Sequence, residues 1–78
     1  MIQELDQVVL MTDLMDDGLQ SGDIGTVVLV HRGGKGYEVE FISLSGETIA
    51  VVSVFASQVR PTGKFEIAHA RAITAIAA

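Results

Sequence analysis

Four aspartates crowd one short stretch of the chain, Asp13, Asp16, Asp17 and Asp23. Carboxylates so close together can hold calcium. An EF-hand type of calcium loop, however, needs a fixed ligand spacing and a closing glutamate, and the stretch has neither. It reads as a solvated acidic loop, and Asp13, Asp16 and Asp17 as an electrostatic docking face for a basic partner. Glu38 and Glu40 stand two apart on one strand face. Acid–base work by such a pair needs a cleft that raises one pKa, and the bland reading is an outward charged face that guards a sheet. The two histidines, His31 and His69, are far apart in sequence, and there is no cysteine, so no zinc set is expected. Each histidine reads as a surface or packing residue. No serine–histidine–acid arrangement is recognisable, and the chain is expected not to be an enzyme. Gly33-Gly34-Lys35-Gly36 would need a following helix to cradle phosphate, and a strand pattern follows instead, so it reads as a hairpin turn. No cofactor is expected.

The elements that would position these residues must come from 78 residues, enough for one domain. So small a chain has a marginal core, and small domains often add a disulfide, a metal or a partner. With the first two excluded, association with a partner or with itself remains. The apolar fraction of 49% points the same way. A net charge of −5 removes the main source of affinity for a phosphate backbone, which disfavours nucleic acid. No charged leader with an apolar core opens the chain, and no apolar run reaches about 18 residues, so neither export nor a membrane span is expected. A cytoplasmic location is the expectation that remains.

The hydropathy pattern is that of short strands. Asp6 to Met11 is β-rich, and Thr12 to Ser21 is a polar connection with Leu14, Met15 and Leu19 as apolar anchors. Gly22 and Gly25 bracket a turn, where glycine accommodates positive φ. Ile24 to His31 is nearly all apolar, which predicts burial on both faces or cover by the tail or a partner. Tyr37 to Ile42 alternates, with Tyr37, Val39 and Phe41 facing one way. Thr48 to Val54 is a fourth strand, Phe55 to Gln58 a helical turn, and Val59 to Pro61 a fifth strand stopped by its proline. This order predicts an all-β fold, a small five-stranded SH3-like barrel over residues 1–63.

Composition changes at residue 64. The stretch from Lys64 to Ala78 holds six alanines and neither glycine nor proline, which predicts a helical tail over 64–78. Phe65, His69, Ala72, Ile73, Ile76 and Ala77 share one helical face, although the alternation of Phe65, Ile67, His69 and Arg71 would also suit a strand. A tail this apolar must bury itself on its own domain, a second copy or a partner.

Gly22-x-x-Gly25 with the valines after it resembles the pattern of KOW-type modules, found in nucleic-acid-associated factors. The resemblance covers one hairpin. Only Arg32, Lys35 and Arg60 are basic in residues 1–63, so a turn that needs glycine is the better account. A longer pattern runs from Leu5-Asp6-Gln7-Val8-Val9-Leu10 through Gly18-Leu19-x-x-Gly22-Asp23-Ile24-Gly25-Thr26-Val27-Val28. It continues with Tyr37-Glu38-Val39-Glu40-Phe41, Gly46-x-Thr48-Ile49-Ala50 and Val59-Arg60-Pro61. From Leu5 to Pro61 the chain resembles the small bacterial proteins, common in cyanobacteria, grouped as a domain of unknown function and numbered 4926. That resemblance carries no catalytic residues. Members are often encoded beside a small toxin-like protein, which implies an antitoxin or immunity role. The alanine-rich tail departs from the family's more charged end.

The expected function is a non-enzymatic protein-binding module. Asp13, Asp16 and Asp17 would steer a basic partner, a toxin on the family's implication, and Phe65, Ile67, Ile73 and Ile76 would supply buried area. The alternatives are a structural homo-oligomer or accessory subunit, and, lower, KOW-like nucleic-acid binding.

Overall fold

A computed structural model of the chain describes residues 1–73. Its strands are β1 (Gln7–Leu10), β2 (Ile24–His31), β3 (Gly36–Ile42), β4 (Thr48–Phe55) and β5 (Val59–Pro61). They form one antiparallel sheet in the order β4-β3-β2-β1-β5. A 3-10 turn over Ala56–Gln58 carries the chain from one edge of the sheet to the other. The side chain of Gln58 accepts the Phe55 N–H at 2.8 Å, which closes that turn. β4 and β5 do not pair with each other, so the sheet has two free edges and is not a closed barrel.

Alternation decides what is inside. Tyr37, Val39 and Phe41 of β3 keep 4% or less of their surface, and Val8, Leu10, Val27, Val52, Val54 and Val59 join them in the core. Leu19 from the β1–β2 connection caps this cluster, and Leu14 packs against it from the side. Met15, expected to be a third anchor, points outward instead, because it opens a one-turn 3-10 helix whose neighbours Asp16 and Asp17 are exposed. The long apolar β2 is not covered on both faces. Val28 and Leu29 lie at a bulge opposite Val39 and Glu38 and stay exposed among the described residues.

The two glycines that open β2 do different work. Gly22 has φ +98°, a true left-handed turn position. Gly25 does not; it is buried on β2 opposite Val8, and a Cβ there would run into Val39, Phe41 and the Glu40 carbonyl. The expected turn role of Gly25 is therefore replaced by a packing role.

Leu5 is the conspicuous strained residue, with φ +74° and a side chain 80% exposed. Its N–H donates to the Val27 carbonyl at 2.7 Å, and Asp6 accepts the Gln3 N–H, so the chain's entry to β1 holds it there. A left-handed non-glycine residue costs on the order of 1–2 kcal/mol. Leu5→Gly relieves that cost while losing little packing, and should raise stability by about 1 kcal/mol in thermal unfolding.

The tail differs from the expectation. Lys64 and Phe65 form a turn, and residues 66–73 have no regular secondary structure and no strand partner. An isolated helix this short is marginal in water. Here two ion pairs at the ends of the segment hold it open. Ile76 and the rest of 74–78 lie outside the described residues.

Candidate partner-binding surface

The tail is a strap tied down at two points. Arg60, on β5, donates from Nη1 to Glu66 Oε1 at 2.9 Å and from Nη2 to Oε2 at 2.6 Å. The Gly63 N–H adds a bond to the same carboxylate at 2.5 Å. The Arg60 hydrogen bonds, and then that N–H, hold the Glu66 carboxyl down at about 2. Six residues separate the partners, a spacing that no helix or strand rule marks.

The second tie is tertiary. Arg71 donates from Nε to Asp23 Oδ1 at 2.8 Å and from Nη2 to Oδ2 at 2.5 Å, and Nη2 also reaches the Gly18 carbonyl at 3.0 Å. Asp23 Oδ2 accepts the Gln20 N–H as well, at 2.9 Å. Burial pushes the Asp23 carboxyl up, but the Arg71 hydrogen bonds, the Gln20 N–H and the Arg71 charge together carry it below its ordinary value. Paired planar groups of this kind fix geometry as well as energy.

Phe65, next to the first tie, and Ile67, between the two ties, keep 100% and 95% of their surface. Ile73 is half-buried beyond the second tie. Residues 68–73 face the ends of β2, β3 and β4 across an open cleft of about 850 Å³, whose walls include Ile24, Phe41, Ile42, Leu44, Ile49 and Ile73. Leu44 and Ile42 are 98% and 55% exposed there.

The acidic loop meets the strap at the second tie, where Arg71 reaches Asp23 and Gly18. Asp13 accepts the Ser21 N–H at 2.9 Å and so serves the loop's own shape. Asp16 and Asp17 are exposed and make no ion pair among the described residues. Asp23, the fourth aspartate, is spent on the strap. The structure thus separates the four: two loose charges, one loop cap and one anchor.

Glu38 and Glu40 each find a hydroxyl on β4. Glu40 accepts from Thr48 Oγ1 at 2.7 Å. Glu38 Oε2 takes both the Ser53 hydroxyl and His31 Nε2, the latter at 2.7 Å. Those bonds, Ser53's first and His31's next, hold the Glu38 carboxyl below its usual value. The acid is the hub of this cluster, so the serine proton points at a carboxylate and not at the imidazole. The group ties β2, β3 and β4 together across the outer face.

Sequence reasoning named Asp13, Asp16, Asp17, Phe65, Ile67, Ile73 and Ile76; Ile76 lies outside the described residues, and of the others the structure leaves Asp16, Asp17, Phe65 and Ile67 as free surface. It did not find the Arg71–Asp23 and Arg60–Glu66 ties or the His31–Glu38–Ser53 bridge. The alternation of β3 already put Glu38 outward beside its β2 neighbours, so the last was within reach of a hairpin argument. The first had no sequence signal, since 48 residues separate its partners.

Fold and surface together define a small all-β protein: one open antiparallel sheet, an acidic loop, and a strap that displays bare apolar side chains. The chain belongs to the family described as Domain of unknown function (DUF4926), whose sequence model matches residues 4–61. The strap lies beyond the matched span. Neither curated proteins nor solved structures gave a match.

Proposed function

We infer that this chain is a protein-binding module that docks a basic partner protein through its strap and its acidic loop. The observation that carries the reading is the pinning of Phe65 and Ile67. A segment with two fully exposed apolar side chains is ordinarily loose, and ordering it costs free energy on binding. Two bidentate arginine–carboxylate ties meet that cost in advance. Aromatic and aliphatic anchors on a pre-organised element are the usual source of affinity, and unpaired rim charges such as Asp16 and Asp17 steer the encounter.

The finer readings belong to the same proposal. The strand order, with a 3-10 turn linking β4 to β5, supports an SH3-like barrel left open at one seam. A toxin-like partner, with this chain as its antitoxin or immunity protein in the cytoplasm, is supported by the family's implication and by the acidic loop.

The test is capture of a partner by the tagged full-length chain from its native host, followed by affinity measurement with variants. A single stoichiometric partner is expected. Phe65→Asp and Ile67→Asp should each weaken its binding at least about tenfold, the scale of an interface anchor. Asp16→Lys with Asp17→Lys should slow association and flatten its salt dependence. Full affinity in both strap variants would overturn the strap as the docking element.

A further inference from the structure

We propose that the free edge of β4 is a self-pairing seam, along which a second copy of this chain adds its own β4 antiparallel. The proposal is independent of the strap and of the partner it binds.

The two edges of the sheet are treated oppositely. β5 has three residues, ends in Pro61, and carries the Arg60–Glu66 tie. Each of these devices blocks strand addition. β4 is the longest edge available, eight residues reading Thr-Ile-Ala-Val-Val-Ser-Val-Phe, with no proline and no charge. Its pairing with β3 is irregular only near Ile49 and runs without interruption from Ala50 to Phe55. An edge of that length and composition is the one that natural sheets usually guard.

The ladder shows which backbone groups are free. The Ala56 N–H donates to the Lys35 carbonyl at 3.1 Å, toward β3. In an antiparallel pair, alternate residues turn their N–H and C=O to the same neighbour. Val54, Val52 and Ala50 therefore face β3, while Val51, Ser53 and Phe55 face away from the sheet. The Phe55 N–H is the one already used, by Gln58. Val51 and Ser53 remain with both groups directed at the empty side, among the described residues.

A two-fold axis perpendicular to the sheet reverses the strand and keeps its faces. Only registers that pair residues of like facing are then allowed. Centring the axis on Val52 sets Val51 against the second copy's Ser53, and Ser53 against its Val51, as two hydrogen-bonded pairs with four hydrogen bonds. Ala50 then meets Val54, and Val52 meets itself. The absence of charge is what favours a second copy here. Glu47, the nearest charge on this segment, falls opposite Ser57 in that register and meets no carboxylate. Glu38 and Glu40 sit one strand further in, so their counterparts lie about three strand spacings away, beyond the Debye length at physiological salt. Val51 and Phe55, 53% and 73% exposed, would close over the seam on the outer face.

Light scattering and sedimentation of the full chain over a concentration series test this. The expected result is a reversible dimer. Val51→Pro removes one outward donor per copy and places a ring in the seam, and should raise the dimer Kd at least about tenfold. Val51→Glu places a carboxylate at the same spot, beside Glu40 and toward the second copy's Glu38, without touching the backbone, and decides the matter should the proline variant fail to fold. Leu44→Lys, on an exposed residue off the seam, should leave the dimer intact. A wild-type chain that stays monomeric to about 1 mM overturns the proposal. So does a dimer that survives Val51→Glu, since its interface would lie elsewhere.

Discussion

Gly25→Ala is expected to cost about 3 kcal/mol of folding stability, at the upper end of what overpacking a core does. The added Cβ would stand 2.5 Å from Val39 Cγ1 and 2.9 Å from both the Glu40 carbonyl oxygen and Phe41 Cε1. A flexible side-chain tip can move aside; a strand carbonyl cannot move without opening the β2–β3 ladder. Val39 and Phe41 are themselves 0% and 2% exposed and have no free space to turn into. A domain of this size has a total stability of only about 4–12 kcal/mol. The melting temperature should therefore fall by roughly 12–24 °C. Gly22→Ala provides the contrast. Nothing stands within 4 Å of the Cβ it would gain, so its cost, on the order of 1 kcal/mol, comes from φ alone. Equal losses at the two positions in chemical denaturation would show that Gly25 is not a packing residue.

Asp23→Ala is expected to release the strap and to cost about 1–2 kcal/mol. It removes two hydrogen bonds to Arg71 and one from the Gln20 N–H, bonds to a charged group that is 16% exposed. Arg71, at 27% exposure, stays partly screened by solvent, which keeps the figure below that of a buried pair. The local effect should exceed the global one. Backbone NMR order parameters of residues 67–71 should fall, and partner affinity should fall because Ile67 is no longer held. Order parameters unchanged in Asp23→Ala would mean that Glu66 alone fixes the strap.

The same ties set an acid limit. Asp23 has its folded pKa depressed below 3.8, and Glu66 is held at about 2. A group with a depressed folded pKa lends stability that is complete above its unfolded pKa and is lost as pH falls through the folded one. Both anchors are therefore intact at neutral pH and weaken only as the pH falls below the ordinary carboxylate range. Order parameters of residues 67–71, followed from pH 6 to pH 2, should fall at the acid end of that range.

Much of the fold was legible because strands this short are read from a local period. Tyr37, Val39 and Phe41 alternate with Glu38 and Glu40, and burial follows that alternation residue by residue. Pro61 ends β5 and the glycines place the hairpins, all by rules that act within a few residues. The tail was not legible in the same way. Its alanines favour a helix, but propensity decides only where no stronger contact competes, and two arginine–carboxylate ties compete here. Met15 failed for a related reason: an apolar residue in a loop is buried only if the loop's turn aims it inward.

By itself, the sequence determined the β-class, the strand positions to within a residue, the core face of β3 and the acidic character of the β1–β2 connection, since all depend on neighbours in the chain. The tertiary structure decided the rest. It turned Asp23 from a loop charge into an anchor for Arg71, Gly25 from a turn residue into a space for Phe41, and the predicted helix into a strap. It also left β4 bare while guarding β5. Each of these turns on which distant residues meet, and a pattern with a period of two or of 3.6 residues carries no information about a partner 48 residues away.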